Sequence, residues 1–431
     1  MIDCFVMQEV KKLKNGMRVH LVPFSGTDAA TVLVLTKVGS RYEPDAIWGG
    51  SHFIEHLMFK GTTRRPNTID ISRTLDRYGA NYNAYTGKDL TGYYVKIDGE
   101  KVGVAIDLLH DMMYHSLYDS VEMDKERRVI IEEIKMYEEN PIMHLEDLLE
   151  DSVFEGGTLG RNIAGTAESM LSMTREDLIA YRDTHYVPSE TVIVIAGKVP
   201  ADAMEQLEAT FGTVPEKPEP QPFIESTPKT DRSVIAVNRQ FKDVKQIQLG
   251  IGFPTVGKRS KDVPAMNLLA QMLGGSMSSR LFIEVRERRG LCYSVAASAD
   301  QYEDVGLFMV RAGLDAERLP EAFEAIFAEL ARMLNDGVEE EELQEAKDHV
   351  EGRMKLSLEN SSSRAEFYGR QELFMHGVKT PAEKIAEYNA VTKEDIARVA
   401  KEILKRENVS IAAIGPYETD DALRALVPEV L

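Results

Sequence analysis

Two histidines four residues apart, with a glutamate placed between them, give His52-Phe-Ile-Glu55-His56 the strongest chemical signature in this 431-residue chain. On a helix, residues four apart stack on one face, so both imidazoles can reach one ion. Neutral imidazoles suit zinc, and Glu55 stands where it can approach a bound water without being a ligand itself. The order is the inverse of the commoner His-Glu-x-x-His arrangement of zinc peptidases. A catalytic zinc site needs a third protein ligand and an open position for water.

The segment Met123 to Tyr137 supplies candidates for that ligand. It is helical by composition, and Glu126 and Glu133 are seven residues apart, hence on nearly the same face, with Val129 and Ile130 between them. An apolar stripe that holds two acids is unfavourable unless a metal or hydrogen bonds compensate. Glu132 is rotated about a quarter turn away, towards solvent or the flank.

These residues need a scaffold, and the chain writes one twice. Gly92-Tyr-Tyr-Val-Lys and Gly306-Leu-Phe-Met-Val-Arg read as strands, each followed by an amphipathic helix, Val102 to Leu117 and Leu319 to Leu334. Each half then has a charged helix ending in Glu-Asn, at Glu139-Asn140 and Glu359-Asn360, and closes on a strand, Glu190 to Gly197 and Glu407 to Gly415. Between the halves, Pro215 to Pro228 carries five prolines and no periodic pattern, which reads as a linker. The expected fold is α+β with two homologous domains, 1–214 and 229–431, joined by residues 215–228. Each is expected to hold a mainly antiparallel sheet with helices packed mainly on one face.

The duplication is an internal control. A shift of 215 positions lays His52, Glu55 and His56 over Asn267, Ala270 and Gln271, while the apolar positions mostly match. The helix as a scaffold therefore does not require the His-Glu-His set.

The run GGSHFIEHLMFKGT, followed by ERRVIIEEIKMYEENP, resembles the pitrilysin family of zinc peptidases. Over essentially the whole chain it is similar to the short-chain branch that includes the mitochondrial processing peptidase and its bacterial relatives. The resemblance implies one Zn2+ per chain, held by His52, His56 and Glu133, with Glu55 as general base and Glu126 supporting the metal site. It further implies that Asn83, Ala84 and Tyr85 lie on an edge strand to which an extended peptide adds as another strand. In the second half, Arg286 and Tyr293 match an Arg and a Tyr that face the zinc and bind substrate or stabilise the oxyanion. The activity implied is endoproteolysis of unfolded peptides in an enclosed cavity, by a homodimer or by a heterodimer with a second family chain. Relatives that have lost the metal and serve as scaffold or assembly subunits supply the alternative. Ser51 stands where the family more often has Ala, and the long glycine-rich loop of the mitochondrial non-catalytic subunit is absent.

Composition sets the remaining expectations. Hydrophobic residues make up 43% and charged residues 28%, the profile of a globular chain. A formal net charge of −20 disfavours nucleic acid and, if focused near the site, favours basic peptides. Cys4 and Cys292 imply no disulfide framework, and the remaining histidines, from His20 to His376, have no partner at ligand spacing. Met1 to Val19 lacks the apolar core of a signal peptide, and no apolar run is long enough to span a bilayer, so a cytoplasmic location is expected.

Overall fold

The computed structural model describes residues 10–228, 230, 234–375 and 377–429; Cys4 and His376 lie outside them. The first half runs β1 (Lys11–Lys12), β2 (Arg18–Pro23), β3 (Ala29–Thr36), α1 (Gly50–Leu57) and α2 (Thr68–Asp76). It continues through β4 (Asn81–Thr86), β5 (Thr91–Asp98), α3 (Val102–His115), α4 (Ser120–Glu139) and α5 (Pro141–Val153). Then come α6 (Ala167–Ser172), α7 (Arg175–His185), β6 (Thr191–Gly197) and α8 (Ala203–Ala209). The second half runs β7 (Ala236–Phe241), β8 (Gln246–Val256), α9 (Val263–Gly274), a π-helix (Phe282–Arg288), β9 (Cys292–Gln301) and β10 (Val305–Asp315). It ends with α10 (Leu319–Asn335), α11 (Glu340–Ser357), α12 (Ser361–Met375), α13 (Pro381–Asn389), α14 (Lys393–Ile403), β11 (Ser410–Gly415) and α15 (Asp420–Arg424).

The two sheets repeat one topology. Their strand orders are β1-β2-β6-β3-β5-β4 and β7-β11-β8-β10-β9. In each, one pair is parallel, β2 with β6 and β7 with β11, and the other pairings are antiparallel. The fold is thus the expected two-domain α+β architecture. Strand alternation sends neighbouring side chains to opposite faces. On β3, Val32 and Val34 enter a large core with α1 and α3, while Leu33 and Leu35 enter a smaller one with α12. In the second sheet, Phe308 and Val310 of β10 face the large core, and Leu307 and Met309 face α5. Most helices therefore cover one face of each sheet, and a single helix closes the other.

That single helix comes from the other half of the sequence. One compact unit comprises Met1–Ile134, Asn162–Phe223 and Lys355–Lys379; the other comprises Lys135–Arg161, Ile224–Met354 and Thr380–Leu431. So α12, from the second half, packs on β3 and β6, and α5, from the first half, packs on β8 and β11. The division expected at 1–214 and 229–431 follows the repeat in sequence, whereas the compact units exchange one helix each. The physical reason lies at the ends of α4 and α11. Asn140 and Pro141 stop α4, with the Asn140 side chain capping the backbone N–H groups of Ile142 and Met143, so that α5 starts in a new direction. The linker, Pro215 to Pro228, has no helix or strand, and its Phe223 stacks beneath the guanidinium of the buried Arg41.

No helix among the described residues is long and apolar enough to cross a membrane.

Candidate metal centre

The α1 helix is held at its start by two features outside the His-x-x-Glu-His motif. Gly49 adopts φ of +92°, and a Cβ there would lie 2.6 Å from the carbonyl oxygen of Ala164, so only glycine fits. The Glu43 carboxylate accepts hydrogen bonds from the backbone N–H groups of Gly49 (2.6 Å) and Ser51 (2.7 Å), two donors that the helix leaves unsatisfied. Phe53, Ile54 and Leu57 then bury completely in the core. The remaining face presents His52, Glu55 and His56, all half-buried.

On α4, Ile130 and Ile134 are buried and Glu126 is 5% exposed, so the helix carries an acid into the core side. Val129 does not share that environment; it is 52% exposed, and the apolar stripe expected between the two acids is formed by Ile130 and Ile134 instead. At 100° per residue Ile130 and Ile134 fall with Met123 to one side of Glu126, on the face that meets the core, while Val129 falls about 60° to the other side and meets solvent. Glu132 is exposed, as its rotation predicts.

The two helices bring three donors together. His52 Nε2 and His56 Nε2 are 3.2 Å apart, and Glu133 Oε2 lies 3.8 Å from the first and 3.5 Å from the second. Zinc bound to nitrogen or oxygen at about 2.0–2.1 Å in a tetrahedron would set its donors roughly 3.3–3.5 Å apart. The spacing and the chemistry of this set fit zinc. Among the described residues it is the one group of three such side chains close enough to share an ion.

Around the donors stands a supporting ring. Glu126 Oε1 is 2.8 Å from His56 Nδ1, and an ionised carboxylate can only accept, so Nδ1 carries the proton and Nε2 keeps its lone pair for a metal. Lys60 Nζ lies 2.6 Å from the other oxygen of Glu126. Burial would raise the Glu126 carboxyl, but the contacts from His56 and Lys60 outweigh it and hold the group below the usual range. Burial, and then the neighbouring His56, lower His52 to about 3, so His52 is neutral and ready to ligate at neutral pH. Burial also acts to lower His56, but the hydrogen bond to Glu126 and the charges of Glu55, Glu126 and Glu133 together raise it. Glu55 is raised, chiefly by burial and further by Glu133, against the opposing effects of Thr86 and His56. A carboxyl shifted this way is suited to accept a proton near neutrality.

The other candidate residues lie elsewhere in the same or the second unit. Asn83, Ala84 and Tyr85 are on β4, which among the described residues pairs with β5 alone and so stands at an edge of its sheet. Asn83 is exposed and Ala84 is buried. Arg286 sits on the π-helix, a rare geometry that concentrates at functional sites. Its guanidinium carbon lies 5.6 Å from the ring centre of Tyr293, which is 78% exposed. Cys292 is a free, half-buried thiol that burial raises to about 11, which suits no nucleophile.

Three contributors escaped the sequence reading: Glu43, Lys60 and Thr86. Lys60 stands four residues after His56, a helical spacing that could have signalled it. Thr86 shares a strand face with Ala84, and its hydroxyl donates to Glu55 Oε2 at 2.6 Å. Glu43 gave no sequence signal, because it acts on the helix from an irregular segment.

Comparison with known proteins gives the family and the fold. The family model "Insulinase (Peptidase family M16)" matches residues 18–167, and the model "Peptidase M16 inactive domain" matches residues 172–350. An uncharacterised zinc protease of Bacillus subtilis is 35% identical over 94% of this chain and 97% of its own length. A probable mitochondrial-processing peptidase subunit beta of Arabidopsis thaliana is 30% identical over 95% of this chain and 78% of its own. Among solved structures, a protease from Helicobacter pylori superimposes with a TM-score of 0.88 at 24% identity, covering 95% of this chain and 99% of that one.

Proposed function

This chain belongs to the M16 family of peptidases, and from that premise we propose that it is a zinc-dependent endopeptidase acting on unfolded peptides. The observation that carries the proposal is the convergence of His52, His56 and Glu133 at zinc-ligand spacing, with the raised carboxyl of Glu55 on the same helix face. His52, His56 and Glu133 would hold one zinc, which when bound supplies a Lewis acid and lowers the pKa of water. Glu55 would take the proton of the attacking water and deliver it to the leaving amine. Glu126 fixes the His56 tautomer, and Lys60 keeps Glu126 ionised.

The substrate would lie as an added strand along the open edge at Asn83, Ala84 and Tyr85, which requires an extended backbone and so selects unfolded chains. Arg286 and Tyr293 are proposed as further substrate contacts that steady the tetrahedral intermediate. The net charge of −20 supports a preference for basic peptides, tested by comparing acidic and basic sequences at low salt. A homodimer, or a heterodimer with a second family chain, and a cytoplasmic location complete the reading; sedimentation and fractionation test them.

The scaffold alternative draws on the inactive-domain model, but that model matches residues 172–350, where none of the donors lies. The decisive experiment compares wild type with Glu55→Gln. About one zinc per chain in both, with kcat falling by about 10²–10⁴-fold in the variant, is expected. Zinc without cleavage in the wild type would leave the scaffold reading standing.

A further inference from the structure

Among the described residues the hydroxyl of Thr86 gives Glu55 its one short side-chain contact, and it comes from the last residue of the open edge strand. A glutamate has three side-chain torsions, and a general base must be held within a fraction of an ångström of its proton to act. An O–H donor at 2.6 Å to a carboxylate is a strong, charge-assisted hydrogen bond that fixes where one oxygen points.

The strand that delivers Thr86 is itself anchored from its opposite face. Alternation on β4 turns Ala84 and Thr86 towards α1 and Tyr85 towards α12. The Tyr85 ring lies over its cross-strand partner Gly92, where a Cβ would come within 2.5 Å of the ring, so the glycine makes the space the ring occupies. The Tyr85 hydroxyl donates to Glu366 of α12, and the other oxygen of Glu366 accepts from Arg370 Nε at 2.7 Å. A peptide adding to β4 would thus join a strand tied to the base on one face and to α12 on the other.

We infer that Thr86 is a positioning residue for Glu55, and that Tyr85, held by Glu366, fixes the strand end from which Thr86 acts. The inference rests on the reading of Glu55 as general base. A Thr86 that merely satisfied a half-buried carboxylate would affect folding but not the base specifically.

The test uses the full chain with Thr86→Val, Thr86→Ser and Tyr85→Phe, each also made on Glu55→Gln. Thr86→Val should lower kcat about 10- to 100-fold with KM and zinc content within about twofold, in keeping with the cost of a misplaced catalytic group. Thr86→Ser should restore most of the loss, and Tyr85→Phe should give a smaller loss of the same kind. On Glu55→Gln, Thr86→Val should add nothing to the residual rate. A crystal structure of the metal-free Thr86→Val variant should show the Glu55 carboxylate turned or disordered relative to wild type. Wild-type kcat in Thr86→Val, an equal loss in both backgrounds, or an unmoved Glu55 carboxylate would each overturn the inference. Should the wild type prove inactive, the proposed function fails, and the Glu55 position in the two crystal structures still decides the role of Thr86.

Discussion

The α1 helix and its counterpart α9 share a scaffold and divide its chemistry. Both follow the second strand of the repeated sheet and pack beside an edge strand, α1 beside β4 and α9 beside β9. On α1 the free face carries His52, Glu55 and His56, facing Glu126 and Glu133. On α9 the matched positions are Asn267, Ala270 and Gln271. There Asn267 Nδ2 donates to the Tyr388 hydroxyl at 2.9 Å, and Ala270 is buried. The facing helix α11 buries Leu343 and Ala346 and spends Glu342 on a paired contact with Arg280, at 2.6 and 2.7 Å. In the second half a neutral hydrogen bond and a matched ion pair take the place of the crowded acids. In the first, three carboxylates and two imidazoles crowd together with Lys60 as the cation in contact, an arrangement that stabilises a bound metal and not the metal-free fold.

The largest effect should come from moving the second half's residues into the first. The triple variant His52→Asn, Glu55→Ala, His56→Gln should bind no zinc and show no measurable peptidase activity. Its melting temperature should equal or exceed that of metal-stripped wild type, because it removes crowded charge and keeps Phe53, Ile54 and Leu57. An unfolded variant would break the comparison, since it would mean that the scaffold depends on the catalytic set. A smaller effect is expected of Glu126→Gln, which leaves all three donors and removes the charge that orients His56. Zinc affinity should fall about 10- to 100-fold, read by chelator competition. Unchanged affinity would assign Glu126 to folding alone.

How far the sequence carried this reading depended on whether a residue acts along its own helix or across the fold. The His-x-x-Glu-His face and the Glu126 and Glu133 pair lie on single helices, where a period of 3.6 residues makes a shared face legible. The repeat was legible because its strands and amphipathic helices recur in order. The destinations of α5 and α12 were not, because an apolar helix face carries no label for the sheet it will cover, and both sheets offer similar aliphatic surfaces. Thr86 and Glu43 were hidden for a related reason. A single hydroxyl or carboxylate that reaches another element has no periodic signature, and only the strand alternation around Ala84 hinted at the first.

The electrostatic side of the comparison can be sharpened by acid. His52 is held near 3 in the metal-free fold, whereas an unfolded imidazole titrates near 6.5. Below pH 6.5 the unfolded chain binds a proton that folded His52 refuses until about pH 3. The stability tied to His52 is therefore whole above pH 6.5 and lost as pH falls towards 3, at no more than about 1.4 kcal/mol per pH unit. Metal-stripped wild type should lose stability across that window faster than His52→Asn, which carries the second half's residue. Denaturant melts at pH 4 and pH 7 measure the difference; parallel curves would show that burial of His52 carries no proton linkage.

The smallest expected effect concerns the exchanged helices, which the two halves seat in opposite ways. On α12 a glycine in the helix makes the room: a Cβ at Gly369 would lie 2.8 Å from Leu35 Cδ1 and 3.1 Å from Val194 Cγ2. Under α5 the glycine is in the sheet: a Cβ at Gly252 would lie 3.0 Å from Leu149 Cδ1 and 3.1 Å from Val153 Cγ2. Alanine at Gly369 gains about 1 kcal/mol of helix propensity. Against this stands overpacking of a buried contact, about 1–3 kcal/mol, because Leu35 and Val194 are fully buried and have nowhere to turn. Gly369→Ala should therefore lower stability by no more than about 2 kcal/mol. Gly252→Ala lacks the helical gain, and its contacts are slightly longer, so its loss should be of similar size. A clear stabilisation by Gly369→Ala would mean that α12 rides loosely on its sheet, and that the exchange is held by the ends of the helix and not by its seat.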